Sequence, residues 1–264
     1  MTFLPAVPVP GPEPLGLRYG LFTAAAGPLD LPEHARAGGV TYEPVSCGSA
    51  RLYDTDCPTG RTPTPKVYDV GDDLVSAASV IIYATYQCGT AGHTGQQMQD
   101  KLLRRLTNGE QSAAERALGV QLAAAVTADG TVLVAPDPTS IVSVVGELEQ
   151  WLYGGGAGEA GYGNIGYLHM PFRFGSYLDT IAVQDGLYWR TRSGTRMVIG
   201  DYPDGEIYIS GHVTVWRSPQ PLLPPAEQVL DRATNQWRGL AEREYAIAWD
   251  CTAAVAAFDY GAVS

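Results

Sequence analysis

The sequence predicts an α+β protein built from several subdomains, and three observations lead to that prediction. Residues 95–127 carry apolar side chains at helical spacing, which indicates a long amphipathic helix. Residues 162–217 read as short strands and tight turns around one helix, which is typical of a compact mixed α/β unit. Residues 1–66 are rich in proline and glycine, so long helices and central strands are disfavoured there.

The first 66 residues are predicted to form an extended arm. They contain apolar side chains that a plain linker does not need: Phe3, Leu4, Leu15, Leu17, Tyr19, Leu21 and Phe22. We therefore expect the arm to be ordered by lying on another surface, with a disordered tail as the alternative. Further on, residues 80–86 are β-prone and predict a strand, after a short turn that Asp72 and Asp73 are suited to cap.

Two amphipathic helices are predicted in the middle of the chain. The long one has its apolar face at Met98, Leu102, Leu106, Ala113, Ala117 and Leu118. Asn108 and Gly109 either divide this helix or are tolerated within one bent helix at a cost of about 1 kcal/mol. The second helix spans residues 137–153, begins with capping residues, and has an apolar stripe made of Ile141, Val144, Val145, Leu148, Trp151 and Leu152.

The mixed unit should contain four strands and a helix that begins at Pro171. The apolar and alternating runs place these strands at residues 165–170, 187–191, 197–199 and 207–215. Gly211 interrupts the last run, where a bulge or a close backbone approach is expected.

The C-terminal part is predicted to be one helix followed by two strands. Residues 226–244 read as a helix whose apolar face carries Val229, Leu230, Ala233, Trp237, Leu240 and Ala241. Strands are expected at residues 245–249 and 253–258, joined around Asp250 and Cys251.

Composition and charge exclude several classes of function. The chain has 264 residues, enough for a sizeable core, and an ordinary apolar fraction of 45%. It has no run of about 18 apolar residues and no basic start before an apolar segment, so we expect a soluble, cytosolic protein without membrane contact. The formal charge is −11, and Lys66 and Lys101 are the only lysines, which argues against a dedicated nucleic-acid binder.

The cysteines and histidines do not predict a metal site. Their spacings are too wide for zinc: Cys47, Cys57, Cys88, Cys251, His34, His93, His169 and His212. We expect free, mostly structural thiols, because a cytosolic disulfide between Cys47 and Cys57 is disfavoured. His169 stands in an apolar run and is expected to be a hydrogen-bonded core histidine.

Three groups of charged residues invite a functional interpretation, and each has a plainer one. Carboxylates and an arginine on the long helix (Glu110, Glu115, Arg116) are more often solvated charges or intersubunit pairs than catalytic groups. An acidic turn (Asp201, Asp204, Glu206) is suited to a cation, but aspartate in turns is ordinary backbone chemistry. Two arginine clusters are expected on solvated faces or in subunit contacts: Arg104 and Arg105, and Arg190, Arg192 and Arg196.

A glycine pattern, Gly156-x-Gly158-x-x-Gly161, formally matches the dinucleotide fingerprint. That fingerprint needs a strand before it and a helix after it, and here the predicted order is reversed. Nucleophile-elbow, zinc-protease and phosphate-loop motifs do not occur in the sequence. Neither a cofactor nor a catalytic site is therefore predicted.

The order of segments resembles the major capsid proteins of tailed bacteriophages, most of all those infecting actinobacteria. The phrases that carry the resemblance are LEQWLY, IGYLHMP, T-x-x-G-x-x-x-V-x-G, IYISGHVTVWRS and NQWRGLAEREYAIAWDC, and it runs from Gln96 to the C-terminus. It implies the Johnson fold of Hong Kong-type phage capsids. The implied parts are an N-terminal arm (1–66), an extended β-loop region (67–95), a spine helix with a peripheral domain (96–153 and 218–264), and an axial domain (154–217).

The resemblance also implies a structural role without enzymatic activity. Such subunits self-assemble into pentamers and hexamers of an icosahedral virion capsid, in the cytoplasm of the host bacterium, and enclose double-stranded DNA without sequence-specific binding. Scaffold, portal and decoration proteins are the further partners that the family implies. The alternatives are a minor or vertex capsid protein, a decoration or tail protein, an encapsulin-type compartment shell and, less favoured, a small hydrolase.

Overall fold

The structure is a computed structural model that describes residues 19–44 and 74–260, except 26, 36, 37, 93, 130, 155 and 157–160. The side chains of His34 and Glu227 are also outside this description. Several expectations concern residues outside these ranges: those on Phe3, Leu4, Leu15, Leu17, Cys47, Cys57, Asp72, Asp73 and His93. Within the described ranges, no helix is both long and apolar enough to cross a membrane.

In the described N-terminal ranges (19–44 and 74–78) the elements are short, as the proline content of residues 1–66 predicted. These are helix α1 (Leu21–Ala24), strand β1 (Leu29–Asp30), a 3₁₀ turn (Glu33–Ala35), and strands β2 (Val40–Tyr42) and β3 (Val75–Ala77). Strands β2 and β3 pair antiparallel, from Val40 opposite Ala77 to Tyr42 opposite Val75. We refer to this antiparallel pair as the two-stranded stem.

Strand β4 (Ser79–Gly89) and helix α2 (Gly95–Asp129) follow the stem. The strand contains the predicted run 80–86, and the helix extends the predicted 95–127 by two residues. Helix α2 has 35 residues, which corresponds to about 52 Å. Asn108 and Gly109 lie within it without a break, so the single-helix alternative is correct. We refer to α2 as the spine helix.

The middle of the chain forms a second helix and a run of short strands. These elements are β5 (Val132–Leu133), α3 (Ile141–Tyr153), β6 (Tyr167–Pro171), a 3₁₀ turn (Phe172–Tyr177), α4 (Leu178–Ile181), β7 (Ala182–Asp185), β8 (Tyr188–Thr191), β9 (Arg196–Gly200), β10 (Glu206–Ser210) and β11 (Val213–Arg217). Helix α3 begins after Ser140, whose side chain accepts a bond from the Ser143 amide, and the predicted apolar stripe is buried apart from half-buried Trp151. Pro171 ends a strand instead of opening an α-helix, because the chain turns first through the 3₁₀ segment.

The predicted helix at 226–244 is wrong. The structure has a 3₁₀ turn (Ala226–Val229), strand β12 (Leu230–Asp231) and a long strand β13 (Gln236–Trp249), followed by β14 (Ala253–Ala257). Eleven residues of β13 pair antiparallel with β4, and its last five pair with β11. This distant pairing overrides the local helical spacing. Asn235, with φ of 52°, turns the chain between β12 and β13.

The strands form two large sheets. The seven-stranded sheet has the order β5-β14-β10-β6-β9-β8-β7. The five-stranded sheet has the order β1-β11-β13-β12, with β4 paired to the other side of β13. The spine helix packs on β4 and β13 and also contacts β14, so its apolar face contributes to the core beneath both sheets. Helix α3 packs on β10 and β14 and covers a second core.

The chain passes between the two sheets at two adjacent points. Gly211 lies between β10 and β11, and Asp250 and Cys251 lie between β13 and β14. A Cβ atom on Gly211 would lie 2.3 Å from the Asp250 carbonyl oxygen, which confirms the predicted close backbone approach. The Gly211 amide donates to the Thr252 carbonyl at 3.2 Å, and the Asp250 amide donates to the His212 carbonyl at 2.9 Å. The predicted single strand 207–215 is therefore two strands in different sheets.

Candidate functional site

The carboxylates of the spine helix are buried, contrary to the expectation of solvated charges. Glu110 is 4% exposed and accepts bonds from Arg217 Nη1 at 3.0 Å and from Arg243 Nη1 at 2.7 Å. Burial raises the pKa of Tyr245, and the nearby Glu110 carboxylate raises it further. Glu110 therefore joins the spine helix to β11 and β13 within one chain. Arg217 and Arg243 both lie more than 100 positions from Glu110 in the sequence, so no local pattern reveals the pairing.

Glu115 is fully buried and accepts three bonds from neutral donors. Its Oε1 atom accepts from the Leu21 amide at 2.9 Å and from Gln111 Nε2 at 3.1 Å, and its Oε2 atom accepts from the Asp201 amide at 3.0 Å. Burial raises the pKa of Glu115 against the lowering effect of these bonds. This carboxylate thus fastens the arm and the turn after β9 to the spine helix.

Two glycines allow these segments to reach Glu115. A Cβ atom on Gly200 would lie 2.2 Å from Oε2 of Glu115, and a Cβ atom on Gly20 would lie 2.4 Å from Oε1. The absence of side chains at both positions lets backbone amides approach the carboxylate from two sides.

The described end of the arm is a wedge between elements of both sheets, and we call residues 19–25 the arm wedge. Leu21 and Ala24 are fully buried, and the Phe22 ring stacks on Tyr245 of β13 at 5.9 Å. The Ala24 carbonyl accepts from Arg196 Nη1 at 2.6 Å, and the Tyr19 carbonyl accepts from the Ile199 amide at 3.1 Å. The arm is therefore ordered, in its described part, by lying on its own subunit.

His169 is a hydrogen-bonded core histidine, as predicted. It is fully buried in β6, with Nδ1 at 3.1 Å from the Tyr202 hydroxyl and Nε2 at 2.9 Å from Ser210 Oγ. Burial lowers the pKa of His169 to about 3, so the ring is neutral at pH 7. A neutral ring held by two hydroxyl groups in the core has no access to a substrate.

The acidic turn is used for contacts within the chain. Asp201 accepts from Ser112 Oγ at 3.0 Å and pairs with Arg116, whereas Asp204 accepts from the Tyr260 hydroxyl at 2.5 Å. Glu206 accepts from the hydroxyl group of Tyr208. Among the described residues, no group of three or more His, Cys, Asp or Glu side chains is placed to hold a metal ion.

The arginine clusters divide between internal contacts and solvent. Arg105 donates to the Thr85 carbonyl at 2.9 Å, Arg190 pairs with Asp185 at 3.1 Å, and Arg196 holds the arm wedge. Arg104 and Arg192 are exposed.

The cysteine expectation is confirmed at one position and wrong at another. Cys88 is a free thiol, 3.5 Å from the Met98 sulfur atom. Cys251 is engaged in a disulfide bond. The prediction of free thiols rested on the rarity of disulfides in cytosolic proteins. The spacing of cysteines along a sequence does not show which of them lie close enough to form a bond.

The surface contains an open groove and an apolar sheet face. The groove has a volume of 770 Å³ and lies between the end of β4, Arg105 and residues 222–225. The outer face of the β4–β13 pair carries apolar side chains that no described element covers: Ile81, Tyr83 and Leu240, with Leu222 beside them. Residues 80–83 are all apolar, and such a run in a strand places apolar side chains on both of its faces, which is the signal that could have indicated this face from the sequence. Such a face is suited to association with another protein surface.

Taken together, the described elements form an α+β fold: a long helix beneath a sheet, a two-stranded stem, and a second mixed sheet. No protein-family model matches the sequence, and no curated protein matches it either. Solved structures resemble the chain along nearly its whole length.

One of these is the capsid of an empty GTA particle, with 14% identity, a TM-score of 0.54, and coverage of 96% of this chain and 95% of the other. A structure from Microbacterium phage Oxtober96 has 12% identity, a TM-score of 0.52, and coverage of 98% and 96%. A structure from Mycobacterium phage Adephagia has 11% identity, a TM-score of 0.50, and coverage of 91% and 90%. The chain has the phage capsid fold, as the sequence resemblance predicted.

Proposed function

We propose that the protein is a structural subunit of a tailed-phage icosahedral capsid. The observation that carries this proposal is the whole-length match to the capsid of a GTA particle, 96% of this chain against 95% of the other. A match over this share of both chains is not confined to one part of the fold. In this proposal the subunit forms pentamers and hexamers that close into a shell around double-stranded DNA.

The internal chemistry of the chain supports a structural role. The carboxylates considered for catalysis act as acceptors that hold elements together: Glu110 between the spine helix and two strands, and Glu115 between the helix, the arm wedge and the turn at Asp201. An acid–base catalyst has to present its carboxyl group to a substrate. These two groups are enclosed by the fold, which favours a shell subunit over a hydrolase.

The proposal also divides the subunit into domains. The axial part would comprise residues 154–217, and the peripheral part residues 96–153 and 218–264, with the arm at 1–66 and the extended loop region at 67–95. Many weak contacts made by arms and loops, multiplied by closed symmetry, would stabilise the shell.

The partners and location follow from the same proposal. The subunit would bind copies of itself, work with scaffold, portal or decoration proteins, and reside in a virion capsid that assembles in the host cytoplasm. A net charge of −11 is compatible with a shell that encloses DNA without binding it tightly. A vertex, decoration or compartment-shell role would share the fold and differ in assembly.

Electron microscopy with light scattering on the purified full-length protein tests this function. A major capsid subunit should form rings, sheets or closed shells, and shells should enclose nucleic acid when assembled in cells that package DNA. A protein that stays monomeric, at about 28 kDa, over all salts and concentrations would contradict the proposal and favour a decoration protein. Closed shells filled with protein cargo would favour the compartment alternative.

A further inference from the structure

Strand β4 is paired on one side only within the described residues. Its eleven residues pair with β13, from Ser79 opposite Ala246 to Gly89 opposite Gln236, and no described strand lies along its other edge. A strand of this length presents about 36 Å of edge. Unpaired edges of this kind template association with another strand unless they are covered or blocked.

The hydrogen bonds of β13 determine which backbone groups of β4 point to the open edge. Glu242 exchanges bonds of 3.0 and 2.8 Å with Leu222, and the Glu244 carbonyl accepts from the Ser218 amide at 2.8 Å. The N–H and C=O groups of these two residues therefore point away from β4. Their neighbours across the β4–β13 ladder are Tyr83 and Ile81, whose own backbone groups must point away from β13, toward the open edge.

The backbone N–H and C=O groups of successive residues point to alternate sides of a strand, so those of Thr85 and Gln87 also point toward the open edge. Arg105 confirms it, because this residue of the spine helix donates to the Thr85 carbonyl at 2.9 Å. The same guanidinium group lies 4.4 Å from the centre of the Tyr86 ring, so it bends around the strand from the helix side. The remainder of the edge has no such block among the described residues.

The side chains at this edge are apolar and exposed. Ile81 is 59% exposed and Tyr83 is 65% exposed, whereas Ile82, on the face that packs against the spine helix, is 7% exposed. The same residues thus present unpaired backbone groups at the edge and apolar side chains on the adjacent face. This combination provides both the hydrogen bonds and the apolar burial that strand addition uses.

We propose that the open edge of β4 binds β4 of a second copy of this chain, antiparallel and about a two-fold axis, so that two five-stranded sheets join. The inference rests on the proposed function, because it identifies one surface through which shell subunits associate. In a register centred on Tyr83, this residue lies opposite its own copy, and Ile81 lies opposite Thr85. The Thr85 carbonyl can accept from both Arg105 and the added strand, since an oxygen has two lone pairs.

Charge is the reason for assigning this edge to a second copy of an acidic chain. The chain carries a formal charge of −11, yet β4 (SVIIYATYQCG) has no Asp, Glu, Lys or Arg. Glu242 and Glu244 lie one strand behind the edge. In the joined sheet, the acidic rows of the two copies are three strand spacings apart, about 14 Å, which exceeds the Debye length of about 8 Å at physiological salt. Self-pairing along β4 therefore brings two acidic chains together along a strand that carries no charged side chain.

Cross-linking tests the two-fold geometry. Tyr83→Cys should form a covalent dimer with a short bifunctional maleimide in assembled protein, because the two introduced thiols lie one strand spacing apart, about 5 Å. Leu222→Cys is the matched control, since Leu222 is 69% exposed on the same face but on the far side of β13. Two copies of it would be five spacings apart, about 24 Å, and should give no dimer above the background of the unmodified protein.

A charge variant tests whether the contact matters for assembly. Tyr83→Lys brings two positive charges together at the axis and should reduce shell formation at least tenfold by light scattering, while the melting temperature stays close to that of the parent. Leu222→Lys should assemble normally. If Tyr83→Lys fails to fold, two measurements on folded protein still test the contact. These are the cross-linking of Tyr83→Cys against Leu222→Cys, and hydrogen exchange at the Ile81 and Tyr83 amides of the parent.

The failures of the two proposals are distinguishable. If the parent protein forms shells, but Tyr83→Cys gives no dimer and Tyr83→Lys assembles normally, the edge contact is wrong and the capsid function stands. Slow exchange of the Ile81 and Tyr83 amides in the dissociated monomer would show that the chain covers its own edge, which also overturns the inference. A parent protein that never assembles overturns both.

Discussion

Glu110 on the spine helix and Arg243 on β13 form a buried ion pair, with 2.7 Å between Oε2 and Nη1. Their side chains are 5% and 10% exposed, and Arg217 binds the other carboxylate oxygen at 3.0 Å. Two strands and the long helix therefore meet at one carboxylate. Removing one member of such a group leaves the others charged without a partner in the interior.

The first prediction concerns this group. Glu110→Ala should lower the free energy of unfolding by about 3 kcal/mol, because Arg243 loses its partner while buried. Arg116→Ala is the control: it removes an ion pair with Asp201 in which the arginine side chain is 68% exposed, and should cost less than about 1 kcal/mol. Urea unfolding of the full chain measures both values. Equal effects of the two substitutions would contradict the structural role of Glu110.

The second prediction concerns the close approach at Gly200. Gly200→Ala places a methyl group within 2.2 Å of the Glu115 carboxylate, so either the turn or the buried side chain has to move. Overpacking of this kind typically costs about 1–3 kcal/mol. Gly175→Ala should be nearly neutral, because its Cβ atom would meet no other atom within 4 Å. Thermal melting of the two variants against the parent checks the contrast, and a Gly200→Ala protein that melts like the parent would refute it.

The sequence predicted the elements whose signal is local and missed those that depend on distant partners. The spine helix and α3 were recognised because their apolar residues recur at helical spacing against helix-forming polar residues. Residues 226–244 show similar spacing, but β4 pairs with β13 along eleven residues, and that ladder selects the extended conformation. A single sequence contains no information about which strand will be the neighbour.

The same distinction applies to the charged residues. His169 stands in an apolar run, and this local context was sufficient to predict a core histidine. Glu110 and Glu115 stand on a helix among polar neighbours, which favours exposure. They are buried because Arg217, Arg243 and the arm wedge arrive from remote parts of the chain. Buried polar groups with distant partners are therefore the features that local reasoning misses here.

The third prediction concerns the arm wedge. Leu21→Ala should destabilise the protein by about 2–5 kcal/mol, since Leu21 is fully buried between the spine helix and strands of both sheets. Leu29→Ala provides a matched leucine truncation at a position that is 54% exposed, and should change stability by less than about 1 kcal/mol. Chemical denaturation followed by tryptophan fluorescence distinguishes the two. A neutral Leu21→Ala variant would mean that the arm contributes nothing to the fold of its own subunit.

The fourth prediction is an acid destabilisation due to His169. Its pKa falls from 6.5 to about 3 on folding, because burial disfavours the charged ring. A depressed pKa contributes stability that is present above pH 6.5 and is lost as the pH falls toward 3. His169→Gln should remove this dependence, so its free energy of unfolding should decline less than that of the parent between pH 6.5 and 4. Parallel pH profiles of the two proteins would contradict the assignment.

The fifth prediction has the opposite sign and concerns Glu115. Burial raises its pKa above 4.5 on folding, so the folded protein binds a proton more tightly than the unfolded chain does. A raised pKa contributes stability that is fully present below pH 4.5 and is lost as the pH rises through the folded-state pKa. Measured in a His169→Gln background, which removes the opposing titration, the advantage of Glu115 over Glu115→Gln should be largest near pH 4.5 and decrease toward neutral pH. A constant difference, or one that grows with pH, would show that the amides of Leu21 and Asp201 fully compensate the buried charge.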